Sequence, residues 1–509
     1  MVSEWKGPLN RARVGKRLWR VSVSLESDMT PRNLAFLIVA ALLPAAAQSP
    51  DSKKLDLAIP DWTKIPEAAQ INAEAMRHYQ ALVRLDTTDP PGNETRAVDY
   101  LRSVLGAEGI PVTVTAKDRA RANLIARLKG NGSKRPVIFM GHTDTVQVDL
   151  SKWTFAPFSA TREGGYVYGR GTLDDKSDLT AALMTILLLK RSGLRLDRDV
   201  IFVAEAGEEA ETSVGIETLV NQDWSEIDAE YCLAESGSVN RKNGQNRIAF
   251  VETSEKRPMP AKLVVHGPAG HGSRPMQSSA IVHLAQAVAK IAAWDPPMRL
   301  NDTTRSYFEK LSSVSTPEEA ARYRGLLDPR QAPAVRAYLA EHDPGKYSML
   351  HTSISPNIIK AGYQINVIPS EAEATLDIRA LPDEDIEKFR ELMKQVINDP
   401  AVEIVPMTTN GRPTAPPSSL TSDAFKSIEA AYRKVYNVAT APLMSTGATD
   451  MAFLRAKGVQ CYGVGAMVDE EDAAKGFGAH SDQERMLEEA LYKHVQFGWE
   501  AITGLAAKK

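Results

Sequence analysis

Short apolar runs that each stop at an imidazole or a carboxylate constrain this chain more than any other feature. Residues 137–140 run into Gly141-His142-Thr143-Asp144, and 200–204 into Glu205-Ala206-Gly207-Glu208-Glu209. Residues 231–234 run into Glu235-Ser236-Gly237. Tyr166-Val167-Tyr168 runs into Gly169-Arg170-Gly171-Thr172-Leu173-Asp174-Asp175-Lys176, which opens a strongly helical stretch at 179–190. Such runs read as buried strands, and 68–85 and 96–108 carry helical spacing before them. Strands alternating with helices imply an α/β fold, with a mostly parallel sheet and flanking helices. In such a sheet ligands bind beyond the carboxyl ends of the strands, where all four runs place their polar residues.

A chain of 509 residues exceeds what one core usually serves. Its texture changes near Lys256: a strand over 261–266, a helix over 280–293 and an alternating strand over 372–379 enclose a charged helical stretch at 300–350. After a β-rich run at 402–407, residues 408–419 are rich in Pro, Thr and Gly, as boundaries often are. Alternation then returns, with helices over 422–435 and 486–505 and a strand over 460–464. The simplest organisation is one α/β domain formed by 67–255 and 411–509, interrupted by an α+β insert over 256–410.

The N-terminus reads as an export signal. Residues 34–43 are an unbroken apolar run after Arg32, followed by Pro44 and Ala45-Ala46-Ala47-Gln48. A basic flank, a short apolar core and a small-residue exit predict cleavage after Ala47, so 1–47 is a signal segment and 48–66 a linker. The run falls short of the roughly 20 residues a membrane span needs, so no stable insertion follows cleavage. A basic stretch before Met29 is foreign to a short signal, which makes Met29 the natural start. The mature protein is expected to be secreted or periplasmic. A formal net charge of -3, with neither sign in excess, gives no footprint for nucleic acid. The two cysteines of the mature part, Cys232 and Cys461, sit in apolar runs and read as buried thiols without chemistry.

Taken singly, each polar strand end has a bland reading. A histidine after a strand is usually a hydrogen-bonded turn residue, and Asp174-Asp175 before a helix fits an N-cap. Together they differ, because several carboxylates brought to one sheet edge repel unless a cation compensates. Mixed imidazole and carboxylate donors suit zinc, or less selectively cobalt or manganese.

Five ordered blocks resemble the M20 family of metallopeptidases, which includes glutamate carboxypeptidases, aminoacylases, dipeptidases and succinyl-diaminopimelate desuccinylases. They are His142-Thr143-Asp144, the run 169–176, Glu208-Glu209, Glu235, and Gly478-Ala479-His480-Ser481-Asp482-Gln483-Glu484. The insert matches too, at Gly270-His271-Gly272-Ser273-Arg274-Pro275, at Asn366-Val367-Ile368-Pro369 and at Asp377-Ile378-Arg379. The resemblance covers roughly residues 67–508. It implies the zinc-exopeptidase type of fold, with the insert as a lid or dimerisation domain.

It also implies roles. His142 and Glu235 would hold one zinc ion, Glu209 and His480 a second, with Asp174 bridging them and Glu208 as general base. Asp144 would fix the His142 tautomer, and the Asp174–Asp175 peptide would be cis. Asp175 itself is read as structural. His271 would stabilise an oxyanion, in this site or a partner subunit's, with Asn366 assisting. Arg379 would clamp a substrate carboxylate, which a guanidinium meets bidentately. Gly447, in Ser445-Thr446-Gly447-Ala448-Thr449-Asp450, would line the substrate pocket. Two departures stand out: Ser177 replaces a common glycine, and Gly207 stands where the family commonly has Asp.

The expectation is therefore a secreted two-zinc hydrolase of a peptide or an N-acyl amino acid, carboxypeptidase- or aminoacylase-like, forming a homodimer through its lid. A dipeptidase is the nearest competitor. A binding protein on a degenerate peptidase scaffold would be expected to lose a ligand or the base, and none is lost here. A nucleotide site at Gly169-Arg170-Gly171 lacks the GxGxxG spacing.

Overall fold

The computed structural model describes residues 60–407 and 411–508. The signal segment, the Met29 start, the Ala47 cleavage point and linker residues 48–59 lie outside the described residues.

Val200–Glu205, Val137–His142, Tyr231–Ala234 and Gln460–Gly463 lie side by side and parallel at the centre of a ten-stranded mixed sheet. They are buried almost throughout, because helices cover both faces. The Lys176–Ser192 helix is buried nearly all round, and it packs with Ile65–Val83 and Glu488–Ala506 over Phe139 and Phe202. Ile216–Gln222 and Met451–Ala456 cover the opposite face over Ile138, Ile201 and Cys232. The expected fold class, a mostly parallel sheet with flanking helices, is what the chain adopts.

Further strands, most of them antiparallel, extend both edges. Asn123–Leu128 pairs with Val200–Glu205, and Val112–Thr115 lies beyond it. On the other side Gln460–Gly463 meets the eleven-residue strand Gln245–Glu255, which pairs with Ser238–Lys242 and with Ala439–Ser445. Sequence patterning misses that long strand because its end is polar yet buried. Arg455 supplies the compensation: its Nη2 lies 2.8 Å from Glu252 Oε1, and its Nη1 lies 3.2 Å from Glu255 Oε2. Cys232 and Cys461 are register partners on adjacent parallel strands, both free and fully buried.

The second sheet is antiparallel. Ala261–His266 lies between Glu371–Ala380 and Val402–Pro406, and Ser353–Ala361 pairs along the far edge of Glu371–Ala380. Alternate residues Ala372, Ala374, Leu376 and Ile378 face the helices Ala280–Ala293 and Ile386–Ile397. Asp302–Val314, Pro317–Gly325 and Ala332–His342 form a separate cluster around Phe308 and Leu326. That cluster rests on Leu443 and Met444 of the larger sheet, so this part of the insert is anchored to the α/β layer. At the junction, buried Lys256 donates its backbone N–H to Ser445 O (2.9 Å) and its ammonium to Ser348 O (2.8 Å).

Candidate metal centre and active site

The ends of the central strands bring the charged residues together. His142 closes its strand with Nε2 at 2.9 Å from Asp174 Oδ1 and 3.9 Å from Glu235 Oε2. His480 Nε2 lies 3.2 Å from the other Asp174 oxygen, Oδ2, and 3.0 Å from Glu209 Oε1. Two three-residue groups result, His142–Asp174–Glu235 and Asp174–Glu209–His480, and Asp174 belongs to both. The Asp174–Asp175 peptide is cis.

Neighbouring residues set these side chains in place. Asp144 is fully buried, 3.4 Å from His142 Nδ1 through Oδ1, and it accepts the backbone N–H groups of Glu208 (3.3 Å) and Glu209 (3.0 Å). One carboxylate thus ties the His142 strand end to the Glu208-Glu209 turn. That turn starts at Gly207, whose φ of +74° is open to glycine and whose β-carbon would lie 2.4 Å from Glu211 O. Asp175 accepts the backbone N–H of His142 (3.1 Å), a structural task. His480 itself has φ +62°, a conformation a side-chain-bearing residue seldom adopts away from a turn or a site.

Glu484 is a positioning residue that sequence reading left without a role. Buried, it accepts Arg170 Nη1 (2.6 Å) and the backbone N–H groups of Gly171 (3.2 Å) and Leu173 (2.7 Å). It thereby joins the loop carrying Asp174 to the loop carrying His480.

The second residue missed is Arg412. Its Nη2 lies 2.5 Å from Glu208 Oε1 and 3.2 Å from Asp450 Oδ1, and its Nη1 donates to Ala448 O. The segment around it reads as a boundary, yet Arg412 is the one charged residue between Thr408 and Ser419. That isolation was the available signal. Gly447 lies in the same loop as Ala448 and Asp450, on the exposed side.

Electrostatics show how far this cluster is from balance. Burial pushes the Glu208 carboxyl up to about 8 despite the Arg412 guanidinium. Burial, then Glu208 and Asp174, push Glu235 well above the carboxylate range. Burial also acts upward on Asp174, but hydrogen bonds from His142 and His480 outweigh it and hold that carboxyl low. Hydrogen bonds to Asp174 and Glu209 raise the His480 imidazole to about 10. Without cations, burial and mutual repulsion favour the protonated forms of Glu208 and Glu235. Two adjacent divalent ions would offset that repulsion, and the nitrogen and oxygen donors match those of zinc, cobalt or manganese. A third acidic group, Asp89–Glu94–Asp144, differs because Arg121 already fills it, at 2.5 Å from Asp89 Oδ2 and 2.7 Å from Glu94 Oε1.

The lid residues stand apart from this cluster. His271 and Asn366 are brought together by the Gly272 N–H to Asn366 O bond (2.8 Å), and both are exposed. His271 Nδ1 accepts from the Ser273 backbone N–H (3.2 Å) and lies 2.8 Å from Ser273 Oγ. Arg379 is partly exposed on the open face of the lid sheet, with Nε donating to Asp377 Oδ1 (2.9 Å). Among the described residues, none of the three is hydrogen-bonded to the His142–Asp174–His480 cluster.

The sequence profile of "Peptidase family M20/M25/M40" matches residues 138–503. The chain is 31% identical over 342 residues to the "Probable carboxypeptidase S-like 2" of Dictyostelium discoideum, covering 65% of this chain and 64% of the relative. It is 27% identical over 329 residues to the "N-fatty-acyl-amino acid synthase/hydrolase PM20D1" of Homo sapiens, covering 63% and 64%. The match thus spans less than two thirds of these relatives' own length. Among solved structures, the M20 family metallo-carboxypeptidase Sso-CP2 from Sulfolobus solfataricus superposes with a TM-score of 0.63 at 20% identity, over 84% of this chain and 98% of that one.

Proposed function

This chain belongs to peptidase family M20/M25/M40, and on that premise we propose that it is a two-metal hydrolase cleaving the amide bond of a peptide or an N-acyl amino acid. The single observation that carries the reading is the sharing of Asp174 by two ligand groups, with Glu208 in the same acidic cluster. His142 and Glu235 would hold one zinc ion, Glu209 and His480 the other, and Asp174 both, with cobalt or manganese as substitutes. Bound cations of this kind polarise the scissile carbonyl and acidify the attacking water.

The chain's own residues do the rest. Glu208 takes the proton of that water at its carboxylate and hands it to the amine nitrogen as the C–N bond breaks. Arg412 positions Glu208, and Asp144 orients the His142 ring. On the lid, His271 is assigned to the oxyanion, Asn366 to its support and Arg379 to a substrate carboxylate; their exposure leaves them free to meet a substrate. Gly447, exposed in the loop beside Asp450, is assigned to the wall of the substrate pocket.

Two further parts belong to the same reading. Export rests on residues 34–47 alone. A homodimer through the lid is supported by Ile358 and Ile359, exposed on an outer strand, and by Tyr363 and Ile365 just beyond it.

The test is a side-by-side assay of the zinc-loaded protein on N-acyl amino acids and dipeptides. Chelation should abolish hydrolysis and zinc should restore it. Hydrolysis that survives complete metal removal would overturn the proposal.

A further inference from the structure

Cys232 and Cys461 stand far apart in sequence, each in an apolar run, and the chain holds no other cysteine. The fold makes them register partners at the centre of the larger sheet, on the parallel strands Tyr231–Ala234 and Gln460–Gly463. Register partners point to the same face, and both thiols enter the core cluster that holds Ile138, Ile201, Met451 and Leu454. Adjacent strands run about 4.8 Å apart, inside the roughly 4.4–6.8 Å that separates the α-carbons of disulfide-bonded cysteines.

The pair spans a seam. One cysteine belongs to the part of the α/β layer that precedes the insert and the other to the part that follows it. A bond between them closes a loop of roughly 230 residues, and a longer loop gains more from being closed. The pair also stands close to the metal cluster. Glu235 directly follows the Cys232 strand, and Gly463 pairs with Ala234 so closely that a β-carbon on it would lie 2.4 Å from Glu235 O. The part beyond the seam supplies His480. Pinning the two strands therefore fixes the segment that ends at Glu235 against the segment that leads to His480.

We infer that Cys232 and Cys461 form a disulfide when the chain folds in an oxidising compartment, and that this bond staples the two parts of the α/β layer. The oxidant is a second disulfide, that of a small thiol or of a dithiol oxidase. One cysteine thiolate attacks a sulfur of the oxidant and displaces one thiol. The other cysteine thiolate attacks the mixed disulfide and displaces the second, so two electrons pass to the oxidant and the two thiol protons end on the released thiols. Exchange of this kind needs a thiolate and access to it. The folded chain denies both: Ile216–Gln222 and Met451–Ala456 cover this face, the two cysteines are fully buried, and burial pushes the Cys232 thiol well above its ordinary range. The redox state of the pair is therefore set while the sheet assembles and kept afterwards. From the export reading above the inference takes only the oxidising compartment.

The test is to denature the full chain and renature it with zinc in two glutathione buffers, one at the poise of the secretory pathway and one at that of the cytosol. Each product is then alkylated in guanidinium and its intact mass measured. Folding at the oxidising poise should leave no cysteine alkylated, with a mass two hydrogens below that of the dithiol form. Folding at the reducing poise should give two alkylated cysteines. The oxidised form should melt about 5 °C higher, and Cys232→Ala and Cys461→Ala should each erase the difference between the two buffers. Dithiothreitol should leave the bond intact in the native protein and cleave it in guanidinium. Two free thiols or glutathione adducts after oxidising folding, or an oxidised form no more stable than the reduced one, would overturn the inference. Should the chain fail to renature, the same measurements on protein made in the bacterial periplasm behind a general export signal, and in the cytoplasm, decide in its place. That arm makes no use of residues 34–47, so failure of the chain's own N-terminus to direct export counts against the export reading alone.

Discussion

The Arg412 guanidinium lies 2.5 Å from the Glu208 carboxylate, joining a proline-rich connector to the proposed general base. It opposes the burial that lifts Glu208 to about 8. With Arg412→Gln that opposition is gone, so Glu208 ionises at higher pH. Bound cations lower it in both proteins and do not change the sign. The acid limb of the kcat/KM–pH profile should move upward by about one pH unit or more, a tenfold or greater loss below the limb. A profile reduced in height but not displaced would show that Arg412 does not act through Glu208.

Glu208→Gln keeps the side-chain shape and removes the proton acceptor. Zinc content by elemental analysis should stay at the wild-type level, while kcat falls on the order of a hundredfold or more. Turnover near the wild-type rate would remove Glu208 from the role of base.

His142→Ala should lower metal content together with activity, because one ligand group loses its imidazole. The wild type should also release protons on loading. Asp174 and Glu209 hold the His480 imidazole protonated to about pH 10 in the metal-free cluster, and a ligating imidazole must be neutral. Zinc titrations at pH 7 in two buffers of different ionisation enthalpy should therefore give different apparent heats. Identical heats, or unchanged zinc in His142→Ala, would contradict the ligand set.

Glu74 offers a test of stability away from the site. Its carboxylate accepts Arg191 at 2.7 and 3.0 Å, pinning the Ile65–Val83 helix to Lys176–Ser192. Burial acts to raise this carboxyl, but the nearby His78 imidazole and the hydrogen-bonded Arg191 guanidinium outweigh it and hold it at about 2, against an ordinary 4.5. A depressed value means stabilisation present above pH 4.5 and lost as pH falls toward 2, about 3 kcal/mol in size. Glu74→Gln should be less stable by about that much at pH 7, and the gap should close between pH 4.5 and 2. A gap that stays constant in urea melts down to pH 2 would refute the linkage.

Sequence patterning carries furthest where local chemistry and burial agree. The Val137–His142, Val200–Glu205 and Tyr231–Ala234 strands are apolar because both faces are covered, and their ends are polar because the site lies there. The class of fold was legible for that reason, and so were the residues that meet at Asp174. Two kinds of feature were not. The Gln245–Glu255 strand hides its burial behind acids whose counter-ion, Arg455, is about 200 positions away. Arg412 and Glu484 act on partners 204 and 314 positions away, and nothing in their immediate surroundings announces those partners. Apolar periodicity reports how a segment meets a surface, whereas a buried ion pair is visible only once both segments are in place.

The bond between Arg170 and Glu484 also orders events during synthesis. His142, Asp174, Glu209 and Glu235 leave the ribosome long before His480 and Glu484 do. Until then the second group lacks its imidazole and the Asp174 loop lacks its clasp. A message truncated before residue 480 would lack His480, Glu484 and the Glu488–Ala506 helix together, and with them the second ligand group, the clasp on the Asp174 loop and one face of the main core.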